Sequence, residues 1–347
     1  MKNLINKCLF ATFFTLFLSF SHAKAELKVV TSIKPIHSLA SLLMDGIGAP
    51  KLIVDGSNSP HNFTLKPSHA KMLQNADLVF WVGEDVETFL EKPLGAVATK
   101  AKKIELMEIS QIKKLKFREK NIFEGHHDDH GHKKHDDHGE KKHDDHGEKK
   151  HDDHGEKKHD DHGEKKHDDH GEKKHDDHAH GEHDPHIWLD PLNAKVILNV
   201  MAKNMKMMDK KNSSKYDANL KKANTKIDSL VSEINKNINK NAKYVVFHDA
   251  YQYFEKRFGL KTLGALTVNT DVLPGAEQLK DIRKVIKKEN AKCIFSEPQF
   301  NPKIIKAIAK DTNITTGVLD PLGADIKNNK NLYFKLLKNL SSSLRKC

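Results

Sequence analysis

Short apolar runs alternate with amphipathic segments along most of the chain. In the N-terminal half, the predicted strands lie at 28–32, 51–55, 77–83 and 103–107, and the predicted helices at 36–47 and 68–76. Ser68 is the expected N-cap of the second helix, because a side-chain oxygen at that position accepts from free backbone N–H groups. Apolar strands that alternate with helices indicate a parallel sheet covered on both faces.

A second alternating set follows residue 241. Its predicted strands lie at 243–247, 261–266, 293–295 and 316–319, and its predicted helices at 250–258, 275–288, 302–310 and 332–344. Between the two sets, apolar residues three and four positions apart predict one helix over 216–238, roughly 37 Å long at 1.5 Å per residue. We therefore predict an α/β fold of two lobes, each with a parallel sheet flanked by helices, joined by one long backbone helix.

Residues 123–183 interrupt this pattern with octapeptides built on His-Asp-Asp-His-Gly-Glu-Lys-Lys. After Phe123 the segment has no large apolar residue, so it cannot bury enough surface to offset its ordering entropy. We expect a loop that is disordered without metal. Imidazole and carboxylate groups bind zinc and related ions, so the array indicates that the protein handles a transition metal. The array alone does not distinguish cargo, cofactor and buffer.

The predicted organisation has six parts. They are a signal peptide at 1–25, an N-terminal lobe at 26–122, the His-rich loop at 123–183, the end of the N-terminal lobe at 184–214, the linking helix at 215–240 and a C-terminal lobe at 241–347. Lys2 and Lys7 flank the start of an apolar run too short to span a bilayer, and Ala23-Lys24-Ala25 fits a signal-peptidase site. The alternative for this segment is a membrane anchor.

Cysteine usage is consistent with export. Cys8 lies in the predicted signal peptide, which leaves Cys293 and Cys347 in the mature chain. Two cysteines in an oxidising compartment usually pair, and this pair would tie the C-terminus to a core strand. The alternative is two free thiols.

Charge gives little support to a nucleic-acid partner. The formal net charge is +11, but the lysines are scattered over predicted helix faces and aromatic residues are only 7% of the chain. No nucleic-acid recognition motif is present, so a solvated lysine-rich surface accounts for the charge.

Four candidate ligands occupy similar places in the pattern. His61, His248 and Asp320 follow predicted strands, and His186 follows the His-rich loop. Ligands bind at the carboxyl ends of strands in open parallel sheets, so these residues can converge on a cleft between the lobes. Three neutral imidazoles and a carboxylate would make a tetrahedral site suited to zinc.

The same region carries six motifs of a known family. They are Ser-Pro-His-Asn-Phe-Thr-Leu-Lys-Pro-Ser at 59–68, Asn-Ala-Asp-Leu-Val-Phe-Trp-Val-Gly at 75–83, His-Ile-Trp-Leu-Asp at 186–190, Phe-His-Asp-Ala-Tyr-Gln-Tyr-Phe-Glu at 247–255, Glu-Pro-Gln-Phe at 297–300 and Leu-Asp-Pro-Leu-Gly at 319–323. In these motifs the chain resembles the ZnuA family, the periplasmic substrate-binding proteins of zinc-uptake ABC transporters. The resemblance covers the whole mature chain, including a His-rich loop between the first and second histidine ligands.

The resemblance implies a periplasmic protein that captures Zn²⁺ as cargo and delivers it to an inner-membrane ABC permease driven by a cytoplasmic ATPase. It implies His61, His186 and His248 as ligands and matches the disulfide of Cys293 with Cys347. Pro60 stands where some members carry an acidic residue, so the fourth ligand is either Asp320 or water. We expect a monomer, with a second periplasmic zinc-binding protein as a further possible partner and no nucleic acid.

The octapeptide loop is expected to be an auxiliary, weaker metal binder. Its histidines are His126, His127, His130, His132, His135, His138, His143, His146, His151, His154, His159, His162, His167, His170, His175, His178, His180 and His183.

Rival functions remain open at this point. Manganese-binding relatives carry a carboxylate where His248 stands, and three nitrogens favour zinc over that harder ion. A periplasmic metal buffer or adhesin would use the same fold. A metalloenzyme could use an open fourth position to activate water, but no metallohydrolase motif such as H-E-x-x-H is present. We therefore expect no catalysis.

Overall fold

Both predicted sheets are present in the computed structural model, which describes residues 26–118, 120–122, 181–267, 270 and 274–347. The N-terminal sheet is parallel throughout, with strand order β2-β1-β3-β4. Its elements are β1 (Val29–Thr31), α1 (Lys34–Leu43), β2 (Lys51–Leu52), α2 (Pro67–Gln74), β3 (Leu78–Trp81), α3 (Glu84–Glu87), α4 (Glu91–Ala96) and β4 (Lys102–Glu105). All four residues of β3 are buried, as expected of a central parallel strand covered on both faces.

A short antiparallel pair and two long helices follow. They are β5 (Leu115–Lys116), β6 (His183–Asp184), α5 (Pro191–Met208) and α6 (Ser213–Asn237). Helix α6 has 25 residues and buries one side. Its buried residues recur at three- and four-residue steps, which is why a sequence of modest overall hydrophobicity forms a long helix here.

The C-terminal sheet is also parallel, with strand order β10-β9-β7-β8. Its elements are β7 (Tyr244–His248), α7 (Gln252–Phe258), β8 (Gly264–Thr267), α8 (Ala276–Lys288), β9 (Cys293–Ser296), α9 (Lys303–Thr312), β10 (Thr315–Val318) and α10 (Leu332–Leu344). The two sheets belong to one compact unit. The predicted α/β fold is therefore confirmed.

Two local predictions differ from the structure. Helix α2 begins at Pro67 with Lys66 as its N-cap, so Ser68 lies inside the helix. Proline fits the first turn because its fixed φ suits a helix and its missing N–H would have no partner there. The sequence predicts a loop that ends at residue 183. In the structure, His183 and Asp184 instead form strand β6, which pairs with β5.

The C-terminal helix is tied to the sheet by a disulfide between Cys293, the first residue of β9, and Cys347. This confirms the predicted pairing and excludes two free thiols in the folded chain. Among the residues that the structure describes, no helix is both long and apolar enough to cross a bilayer.

Candidate metal centre

Three of the four predicted ligands meet at one point between the two sheets. His248 is the last residue of β7, His61 follows β2, and His186 follows β6. One ring nitrogen from each lies within 4.8 Å of the corresponding nitrogens of the other two. In the described part of the chain this is the one group of at least three His, Cys, Asp or Glu side chains with such a geometry.

Carboxylates fix the orientation of two of these rings. The Nδ1 atom of His186 lies 2.8 Å from Asp184 Oδ1. The Nδ1 atom of His248 lies 2.7 and 2.8 Å from the two carboxylate oxygens of Glu297. Where the carboxylate is ionised it only accepts, so Nδ1 carries the proton and donates it, and the Nε2 of a neutral ring keeps its lone pair.

The Nε2 atoms of these two rings face each other. His186 Nε2 and His248 Nε2 are 3.3 Å apart. Two nitrogens bound to one tetrahedral zinc ion at about 2.05 Å, with an angle of about 109°, would be about 3.3 Å apart. At this distance the two nitrogens can share either a proton or a metal ion, and the spacing fits a metal ion.

His61 closes the third side of the site. Its ring centre lies 5.8 Å from that of His186 and 6.0 Å from that of His248. The His61 ring donates to the backbone carbonyl oxygen of Asp85, in helix α3, and this contact takes the place of a carboxylate in orienting the ring. Each imidazole is thus held from behind by an acceptor, which is the usual arrangement around zinc-bound histidines.

Electrostatics keep two of the imidazoles neutral. Burial of the ring lowers the pKa of His61 well below its ordinary value, and the neighbouring His186 and His248 lower it further. Burial, and then His248, lower the pKa of His186 in the same way. For His248, burial also lowers the pKa, but the charge and hydrogen bond of Glu297 outweigh it, so the pKa is raised. The site therefore offers at least two unprotonated nitrogens at neutral pH.

Asp320 is outside this cluster. Its carboxylate accepts from the backbone N–H groups of Leu322, Gly323 and Ala324, at 3.0, 2.9 and 2.5 Å. It also accepts from Gln299 Nε2 at 3.1 Å. These four hydrogen bonds hold the carboxylate in its own turn, so the structure does not bring it together with the histidines.

The cavity at the centre is small. Its volume is about 10 Å³, close to the least that holds one water molecule. Trp188 lines it and donates from Nε1 to Pro321 O at 2.8 Å. Asp190 accepts two hydrogen bonds of 2.7 Å from Arg257, in helix α7. These contacts join residues following His186 to the C-terminal lobe.

Three residues that support the site have no role predicted from the sequence, although two of them lie in the motif at 297–300. Asp184 and Glu297 orient ligands, and Gln299 lines the cavity. Asp184 lies only two residues before its partner His186, so their pairing is local in the sequence. Glu297 lies 49 residues from its partner His248, so that pairing is not. Of the predicted loop histidines, His183 lies in β6. The others, from His126 to His180, lie outside the described residues.

Comparison with known proteins decides the family. The sequence profile of ZnuA, the periplasmic component A of the zinc-uptake complex, matches residues 29–347. The chain belongs to the ZnuA family. A Brucella abortus high-affinity zinc uptake system protein ZnuA is 44% identical over 100% of this chain and 99% of that protein. The Haemophilus influenzae ZnuA protein is 40% identical over 93% of each chain.

Solved structures share the ZnuA fold. A zinc-bound ZnuA deletion mutant has a TM-score of 0.67 at 21% identity, covering 92% of this chain and 97% of the other. The laminin-binding protein of Streptococcus agalactiae, described as an adhesin with metal-transporting activity, has a TM-score of 0.64 at 22% identity. It covers 92% of this chain and 99% of its own. The three-histidine site therefore lies in a fold found in metal-binding proteins.

Proposed function

We propose that this ZnuA-family chain captures Zn²⁺ through His61, His186 and His248 and delivers it for uptake. The observation that carries the proposal is the 3.3 Å separation of the His186 and His248 Nε2 atoms, with a ring nitrogen of His61 within 4.8 Å of both. That spacing suits tetrahedral zinc, and the donor set of three nitrogens is softer than manganese prefers. The names of relatives at 44% and 40% identity support the same cargo.

The partner and compartment follow from the family. We propose an inner-membrane ABC permease with a cytoplasmic ATPase as the acceptor of the ion. The predicted signal peptide, residues 1–25, would direct the protein to the periplasm. These residues lie outside the described part of the chain. We propose separately that the protein is a monomer. A second periplasmic zinc-binding protein remains a further proposed partner, and no nucleic acid is expected.

We propose that residues 123–180 supply zinc to this site. Their histidines offer many weak ligands, and the described residues that flank the segment are hydrogen-bonded to the folded chain. Gly181 N donates to Asp85 Oδ1, and Ala265 N donates to Asn121 O. A tethered low-affinity array raises the local zinc concentration, which increases the rate of capture without changing the tight site.

A metal buffer or adhesin is the second candidate, favoured by one observation. A structural relative is described as both an adhesin and a metal transporter. A host strain without its own zinc-uptake binding protein, grown under zinc limitation, separates these functions. We expect the wild-type chain to restore growth and the His61→Ala/His186→Ala/His248→Ala variant to fail. Equal growth of the two strains would favour the buffer or adhesin, and rescue under manganese limitation alone would favour manganese.

A further inference from the structure

One polar atom at the cavity has no partner. Gln299 lines the cavity together with His61, His186 and His248. Its Oε1 is buried and has no hydrogen-bond partner among the described residues. No other side chain lining the cavity, within that part of the chain, carries such an atom. A buried acceptor without a partner costs about 1–3 kcal/mol, so a ligand for it is expected.

Asp320 fixes which end of the Gln299 amide is free. The Asp320 carboxylate can only accept, so the amide group 3.1 Å from its Oδ1 must be the NH₂. The carbonyl oxygen is therefore the end left without a partner. The Asp320 carboxylate itself accepts from three backbone N–H groups. These bonds fix its orientation toward the Gln299 amide.

We propose that Gln299 Oε1 is the fourth oxygen ligand of the metal, and that Asp320 is the residue that orients it. This rests on the proposed function, since it assigns a ligand to the same cation. The cavity of about 10 Å³ has space for one small species, not for an ion and a water molecule together. A ligand from the protein therefore fits better than a bound water.

The chemistry suits a cargo site. Three neutral imidazoles and a neutral amide leave the full charge of the ion uncompensated by its direct ligands. A carboxylate in the same place would attract the cation more strongly. An amide oxygen thus completes the coordination while keeping release to an acceptor easier.

The test uses the full chain with Co²⁺ and Zn²⁺ at no more than one equivalent, so that the tight site fills first. Gln299→Met removes the oxygen and keeps the side-chain length, and Gln278→Met is the control, since Gln278 only caps helix α8. We expect Gln299→Met to weaken zinc binding about tenfold or more and to change the visible absorption spectrum of bound Co²⁺. Gln278→Met should do neither.

A double-mutant cycle assigns the role of Asp320. If it acts through Gln299, Asp320→Ala should weaken binding in the wild type and add little in the Gln299→Met background. Additive losses would show that Asp320 acts independently of Gln299 and would overturn the proposal. An unchanged affinity and cobalt spectrum in Gln299→Met would also overturn it. His248→Ala is measured in parallel, because tight binding in that variant would reject the three-histidine site itself, whatever Gln299 does.

Discussion

Glu297 holds His248 Nδ1 with both of its carboxylate oxygens, at 2.7 and 2.8 Å. The contact spans two strands, since His248 ends β7 and Glu297 follows β9. It fixes the tautomer that leaves Nε2 free for a metal and adds negative charge behind the ring. Partners of this kind raise the basicity of a ligating histidine.

Removing this carboxylate should weaken zinc binding. We expect Glu297→Ala to lose about 10- to 100-fold in zinc affinity. Glu297→Gln should lose less, because its amide oxygen still accepts from Nδ1. Competition with a chelator of known affinity measures both. Glu289→Gln is the matched control, since Glu289 lies at the end of α8; an equal loss there would indicate a general effect of surface charge.

Zinc affinity should depend on pH through His248. Its pKa is raised because Glu297 outweighs the effect of burial, whereas burial lowers the pKa of His61 and of His186. A raised pKa means that His248 still holds a proton above its ordinary range near pH 6.5, and zinc must displace it. Affinity should therefore fall as pH falls through that raised pKa.

Glu297→Gln is the control for this pH dependence. It removes the negative charge that raises the pKa of His248, so the fall in zinc affinity should move to lower pH. Calorimetry in buffers with different ionisation enthalpies counts the protons released on binding. An unchanged pH profile in Glu297→Gln would assign the proton to another group.

Helix α3 carries a buried carboxyl group with a predicted effect on stability. Glu87 accepts from Val82 N and Gly83 N, and its side chain also lies beside Ser32. Burial raises the pKa of Glu87 to about 7, against smaller opposing effects of its hydrogen bonds with Ser32, Gly83 and Val82. A raised pKa in the folded state contributes stability below the unfolded pKa, near 4.3, and loses it as pH rises through about 7.

The metal-free protein should therefore lose stability between about pH 4.5 and pH 7.5, by roughly 3 kcal/mol from this group. Glu87→Gln keeps the acceptor and can donate to Ser32, so we expect a smaller loss over that range and a higher melting temperature at pH 8. Thermal unfolding of both proteins across this range measures the difference. Parallel curves for the two proteins would contradict the assignment.

The disulfide should matter for stability more than for binding. Cys293 and Cys347 are 54 residues apart, so closing this loop restricts the unfolded chain by up to about 4 kcal/mol. We expect Cys293→Ser/Cys347→Ser to unfold at lower urea concentration and to bind zinc within about twofold of the wild type at 25 °C. A large loss of affinity in the still-folded variant would show that the strand carrying Glu297 depends on this link.

The sequence predicts the strands and α6 well because their information is local. The apolar run of β3 and the three- and four-residue periodicity of α6 need no knowledge of distant residues. The positions of His61 and His248 follow from the rule that ligands lie at the carboxyl ends of parallel strands, whereas His186 follows the antiparallel strand β6.

The supporting residues could not be predicted in the same way. Glu297 contacts His248 across two strands, and Gln299 contacts Asp320 across 21 residues. These pairings depend on side-chain directions that exist only after the sheet has formed. Asp320 is an example. Its position after a strand predicts a metal ligand, but its carboxylate accepts hydrogen bonds from the backbone of its own turn instead.

Zinc titration by calorimetry tests the central claim most directly. It compares the full chain, a variant lacking residues 126–180, and that variant with His61→Ala/His186→Ala/His248→Ala. The account predicts one tight site in the deletion variant, absent from the triple variant, and additional weak sites in the full chain only. Absence of a tight site from the deletion variant would place the main binding in the octapeptides and contradict capture by the three histidines.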